Sequence, residues 1–203
     1  MSWWNPFKNN KSQPKDISKK FLIVGVGNIG KDYALTRHNL GFDVLNYIAK
    51  RKGLNFTELR YGAISKLKYK GRVFILLKPS TYVNRSGDAV NYWMAKEKII
   101  LSNLLVICDD LNISFGSLRI KVKGSDGGHN GLKDIESKLG TNNYGRLRFG
   151  IKNETKKNTT QFVLDRWNQK ELDGLETYFK KIEEAVFSYV LLGPSVAMNN
   201  FNK

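Results

Sequence analysis

Only one cysteine, Cys108, occurs in the 203 residues. A lone thiol forms no internal disulfide and no multi-cysteine zinc cage, so a reducing, cytosolic setting is expected. Histidine is almost as scarce, with two residues and no HxH or HxxxH spacing. That falls short of a His-based metal centre, and no metal is expected. No apolar run reaches the ~18 residues of a membrane-spanning helix. The N-terminus lacks the apolar core of a secretory signal. Acidic residues are few: 18 Asp and Glu against 34 Lys and Arg, a net charge of +16. The first 20 residues hold five lysines and one aspartate, so +12 of the excess belongs to residues 21–203. Such a field attracts polyanions, either nucleic acid or an anionic membrane surface.

What is present is enough to fold. The chain is 41% hydrophobic and 26% charged, a globular composition at a length suited to one domain. Residues 1–20 read as a flexible basic extension, with two prolines and no sustained period. Its Trp3, Trp4 and Phe7 beside lysines suit an RNA or membrane-surface contact, and equally a mobile tail. The catalytic or binding domain is expected over 21–203.

Apolar periodicity predicts alternating strands and helices. Phe21–Gly27, Val73–Leu77 and Leu104–Cys108 read as buried strands. Leu118–Lys123 alternates apolar and basic residues, as a half-exposed strand does. Arg146–Ile151 is a further strand. Helical spacing starts at Leu40, with Asn39 as expected N-cap, and at Ala89, with Ser86 as cap. It recurs at Leu132, with Asn130 in the capping position, and over Leu172–Tyr189. The class is α/β, a single domain with helices covering a sheet.

Gly25-Val-Gly-Asn-Ile-Gly30 follows the first strand as a dinucleotide fingerprint would. The following KDYALTRHN lacks helical period, and Asp43 falls inside a helix, not at the end of a second strand. No nucleotide cofactor is expected, and the glycines read as allowing a close backbone approach. His38-Asn and His129-Asn each open a helix after a glycine-rich loop, at the strand edge where α/β proteins bind ligands. Asp109, ending a buried strand, is placed to orient a histidine as base. Cys108 closes an apolar strand and reads as a small buried hydrophobe. Lys121 through Asn130 joins lysines, a glycine-rich loop and a helix start, an anion-binding combination. Arg146 and Arg148 lie on a nearby strand.

FLIVGVGNIGKDYALTRHNLGFDVL, KPSTYVNRSGDAV, LLVICDDLNISFGSLRIKVKGSDGGHNGLKDI and GRLRFGI together resemble the bacterial-type peptidyl-tRNA hydrolase family, over roughly residues 21–195. The resemblance implies a mixed central sheet in a cytoplasmic monomer that needs no cofactor. It implies hydrolysis of the ester joining a peptide to the 3′ end of tRNA. It makes His38 the general base, Asp109 its partner, and Asn28 the residue that tells peptidyl from aminoacyl groups. Asn84 and Asn130 would position substrate and water, and Tyr33 and Tyr82 would touch the tRNA end or the peptide. Lys121 and Arg148 would clamp the tRNA 5′ phosphate. Ile29 stands for the family's usual proline, Val83 for methionine, Tyr82 for phenylalanine, and Asp110 and Asn112 for Glu and Asp. A non-catalytic RNA-binding relative of the same fold is the rival reading, and a dinucleotide-dependent oxidoreductase the third.

Overall fold

The computed structural model describes residues 19–152 and 158–202. Seven strands form one sheet in the order β2-β3-β4-β1-β5-β7-β6. Its centre is parallel: β4 (Arg72–Pro79), β1 (Lys20–Gly25), β5 (Leu104–Asp110) and β7 (Gly145–Gly150). The flanks are antiparallel: β3 (Gly62–Tyr69) and β2 (Thr57–Leu59) at one side, β6 (Leu118–Lys121) at the other. The sheet is therefore mixed, and the expected α/β domain is found.

The two-residue period of a strand sends alternate side chains to opposite faces. Phe21, Ile23, Phe74, Leu76, Leu105 and Ile107 enter one core. Helices α1 (Leu40–Arg51), α5 (Gln169–Leu192) and α6 (Pro194–Phe201) cover it. Leu22, Val24, Ile75, Leu77, Val106 and Cys108 enter the other, under α2 (Ser86–Glu97) and α3 (Asn130–Leu139). Burial on both faces explains why these strands read as continuous apolar runs. A short α4 (Thr159–Leu164) lies near the carboxyl edge of the sheet. Among the described residues no helix is long and apolar enough to cross a membrane.

Gly25 of the fingerprint-like motif serves packing between α1 and β1. A Cβ on Gly25 would sit 2.1 Å from the Gly41 carbonyl oxygen, and one on Gly41 would sit 2.5 Å from the Val26 nitrogen. Backbone meets backbone there, so α1 starts directly above the end of β1. The close partner at these two positions is a helix and not a ligand.

Three caps differ from expectation. Asn39 precedes α1 but makes no cap bond, because its amide is used on Asn28. Ser86 is already helical and its hydroxyl donates to the Val83 carbonyl. His129, not Asn130, caps α3, its Nδ1 accepting from the Gly131 and Leu132 N–H groups. Leu172 stays 40% exposed, so the apolar stripe of α5 starts at Leu175. The short strand β2, the eight-residue β3 and helices α4 and α6 have no counterpart in the sequence reading. The expected extension lies outside the described residues except for Lys19 and Lys20. Lys20 belongs to β1, pairing with Val73 and reaching Glu97 at 2.7 Å.

Candidate active site

The parallel strands end together, and the loops beyond them frame a cleft of about 560 Å³. Asn28 comes from the loop after β1, Val83 and Asn84 from the loop after β4, and Asp109 from the end of β5. His38 lies just before α1, and His129 and Asn130 open α3. All seven line this cleft.

His38 Nδ1 lies 2.9 Å from Asp109 Oδ1, and His129 Nε2 lies 3.3 Å from the same oxygen. The two rings stand 4.8 Å apart between centroids. Hydrogen bonding fixes both tautomers. His129 Nδ1 accepts from backbone at the start of α3, so its Nε2 carries the proton given to Asp109. Ionised Asp109 is an acceptor only, so His38 Nδ1 carries the other proton. His38 Nε2 is thereby left as a lone pair, with no partner among the described residues, on a residue lining the cleft.

Electrostatics make that lone pair more basic. Burial pulls the His38 pKa down, but the charge of Asp109 and its hydrogen bond push it up, and the net shift is upward. The aspartate therefore outweighs the burial. Asp109 is 3% exposed. Burial alone would raise its pKa, yet His38 and the His129 hydrogen bond hold it well below the usual carboxylate range.

Donor atoms of His38, Asp109 and His129 lie within 4.8 Å of one another, the residue types of a metal triad. Their spacing is that of hydrogen bonds, because both rings address one carboxylate oxygen. Shared zinc ligation asks for ~2.0–2.1 Å from each nitrogen to an ion held between them. Cys108 is fully buried, and burial pushes its thiol far up, out of the range of a nucleophile.

Asn28 is clamped on three sides. Asn39 Oδ1 accepts from its N–H at 2.8 Å, and Asn39 Nδ2 donates to its carbonyl at 3.0 Å. Its own Oδ1 accepts from the Val83 N–H at 2.8 Å. The amide is thus oriented, with Nδ2 left as a donor for a bound molecule. Because Val83 acts through its backbone, the departure from methionine leaves this contact in place. Arg37 anchors the His38 segment from behind. Its guanidinium pairs with Glu171 at 2.6 Å, bonds the Phe162 and Asp165 carbonyls, and lies 4.3 Å over the Phe162 ring.

The remaining predicted residues fall into two groups. Tyr33 and Tyr82 meet edge to face with centroids 6.2 Å apart, and Tyr82 is 53% exposed at the mouth of the cleft. Lys121 and Arg148 line an adjacent basic pocket of about 270 Å³, together with Arg119 and Arg146. Lys121 is exposed and has no partner among the described residues. Arg148 is already engaged, by Asp110 at 2.8 Å and the Ser125 carbonyl at 2.6 Å. Arg146 likewise bonds the Gly124 and Ser125 carbonyls. Both arginines support the glycine-rich loop that leads into His129.

Sequence reasoning left out the wall formed by Thr159, Thr160, Val163 and Leu164. Helix α4 is too short to give a periodic signal. It also missed the contact of His129 with Asp109, although the paired His-Asn motifs hinted at a shared site.

An imidazole held by a buried carboxylate, with an oriented amide beside it at the carboxyl edge of an α/β sheet, is an arrangement suited to a hydrolase. The comparisons with known proteins agree. The family model for peptidyl-tRNA hydrolase matches residues 22–203. The peptidyl-tRNA hydrolase of Phocaeicola vulgatus is 51% identical over 185 residues, 91% of this chain and 99% of its own length. That of Porphyromonas gingivalis is 48% identical over 184 residues, covering 90% and 100%. A solved structure of the Acinetobacter baumannii peptidyl-tRNA hydrolase superposes with a TM-score of 0.84 at 33% identity, over 91% of this chain and 95% of that one. The chain belongs to the peptidyl-tRNA hydrolase family.

Proposed function

We propose that this protein hydrolyses the ester between a peptide and the 3′ end of tRNA, with His38 as general base. The observation that carries this is the His38–Asp109 contact at 2.9 Å, which leaves Nε2 free in the cleft. Nε2 takes a proton from water as the oxygen attacks the ester carbonyl carbon. Negative charge then develops on the carbonyl oxygen. The Asn28 Nδ2 donor lies beside the base, and Asn84 and Asn130 add amides to the same cleft. Preformed donors at such an oxygen are worth most in a water-poor site. Collapse of the tetrahedral intermediate breaks the bond to the ribose oxygen, which recovers the proton from His38. Tyr33 and Tyr82 offer ring faces at the entrance for a base or side chain. Release of free tRNA from purified peptidyl-tRNA is the direct test, and absence of release would favour the non-catalytic RNA-binding reading.

Lys121 supplies the direct contact to the tRNA 5′ phosphate, with Arg148 as the paired charge behind it. Lys121→Ala is expected to raise KM for full-length substrate and lower the slope of log KM against log salt by about 1. A short substrate without a 5′ phosphate should be unaffected. Equal losses on both substrates would remove Lys121 from phosphate recognition. Arg148→Ala is the poorer probe, because it also leaves Asp110 buried without its partner and loosens the Gly124–Gly128 loop.

The protein acts as a cytoplasmic monomer in this reading. Its basic N-terminal residues add weak, salt-sensitive affinity for RNA or an anionic bilayer. Deleting residues 2–18 should leave kcat unchanged and reduce low-salt binding to tRNA or to phosphatidylserine vesicles. Unchanged binding to both would make the segment a bystander.

A further inference from the structure

Asn28 is a shared wall. On its far side from the catalytic cleft lies a second cavity of about 290 Å³. Helix α1 contributes Asp43 and Asn46, the end of β4 contributes Lys78, and the loop after β1 contributes Gly30 and Ala34. Asp43 Oδ2 is buried there with no hydrogen-bond partner. Lys78, the nearby cation, is committed elsewhere. Its ammonium donates to Asn46 Oδ1 at 2.7 Å and sits 4.1 Å from the Phe56 ring centroid.

An unpartnered buried carboxyl oxygen costs free energy unless something bonds to it. Burial pushes the Asp43 carboxyl up to about 7, against the opposing charge of Lys78. Near neutrality the group therefore accepts from an N–H when ionised and donates to a C=O when protonated. A peptide backbone presents both groups in alternation. The position of the cavity fits the same ligand. The Tyr33–Tyr82 contact links the loop after β1 to the loop after β4, and residues of both loops line the cleft and the cavity. Asn28 itself borders both the cleft that holds His38 and the second cavity.

We infer that this second cavity receives the residues of the peptidyl group upstream of the esterified one, with Asp43 hydrogen-bonding to their backbone. The inference rests on the hydrolase reading above and adds a subsite to it. The test compares N-acetyl-aminoacyl-tRNA with a tetrapeptidyl-tRNA carrying the same esterified residue. Asp43→Leu should lower kcat/KM for the tetrapeptidyl substrate by about five- to tenfold, the scale of one lost hydrogen bond. The N-acetyl-aminoacyl substrate should be hydrolysed as by the wild type, and Asp43→Asn should recover most of the loss. Equal loss on both substrates, or none on the longer one, overturns the inference. A measurement on the unaltered protein stands apart from variant folding and from turnover. Free tetra-alanine should shift the backbone amide resonances of Asn46 and Ser80. If these stay fixed while the cleft resonances move, the peptide does not enter the cavity. Failure of the wild type to hydrolyse either substrate would instead refute the hydrolase reading.

Discussion

His38→Ala should lower kcat by ~10²-fold or more, about 2.7 kcal/mol of barrier, while the Kd for tRNA stays unchanged. The expectation follows from the division of labour in the cleft. The basic pocket around Lys121 lies beside the catalytic cleft, and His38 is not among the residues lining it. Binding should therefore survive the loss of the base. The side chain is 10% exposed, so its removal also opens a small cavity and leaves Asp109 with His129 alone. A thermal unfolding curve separates that structural cost from the chemical one. Wild-type turnover in a folded His38→Ala protein would move the base elsewhere, and His129 would not be a ready substitute. Its Nδ1 caps α3 and its Nε2 proton is given to Asp109, so neither nitrogen is free to take a proton from water.

The layered α/β body was legible because buried parallel strands must be apolar on both faces. Phe21–Val24, Val73–Leu77 and Leu104–Cys108 announce themselves as runs. The 3,4 spacing of Leu175, Phe179, Ile182, Val186 and Tyr189 announces α5. Strand β3 was hidden because its burial changes along its length, from four buried residues to a mostly exposed end. The site was legible in types: two His-Asn pairs, a strand-end aspartate and a glycine-rich basic loop. Partner choice was not legible, since it depends on three-dimensional competition. Asn39 caps nothing because both ends of its amide are taken by the Asn28 backbone. No local pattern reveals that Arg148 is paired with Asp110, 38 residues earlier. The glycines of residues 25–30 carried a ligand-binding look for the same reason. The close partner of Gly25 is Gly41, at the start of α1, and that of Gly27 is the Phe42 ring.

Asp109→Asn tests the second half of the catalytic pair. The substitution keeps the shape and removes the charge. Of the influences on His38, burial then remains and the two that raise its pKa are lost. The His38 titration, followed by its imidazole resonances, should move below the ordinary value of about 6.5. A base with a lower pKa is free at lower pH, so the acid limb of kcat/KM should shift to lower pH. The plateau should nevertheless fall, on the order of 10²–10⁴-fold. An asparagine offers an N–H where the carboxylate offered a lone pair. It can therefore turn the ring to the tautomer with its proton on Nε2, where the base is needed, and it no longer stabilises the imidazolium. The same exchange has a signature in stability. His38 has a raised pKa in the folded protein, so its contribution is full below about 6.5 and fades as pH rises through the folded value. Asp109 has a depressed pKa, so its contribution is present above about 3.9 and fades as pH falls through its lower folded value. The stability advantage of the wild type over Asp109→Asn should therefore be largest between about pH 4 and 6.5, measured by urea unfolding across that range. A constant difference from pH 4 to 9, together with an unmoved His38 titration, would show that Asp109 packs against the ring without governing its charge.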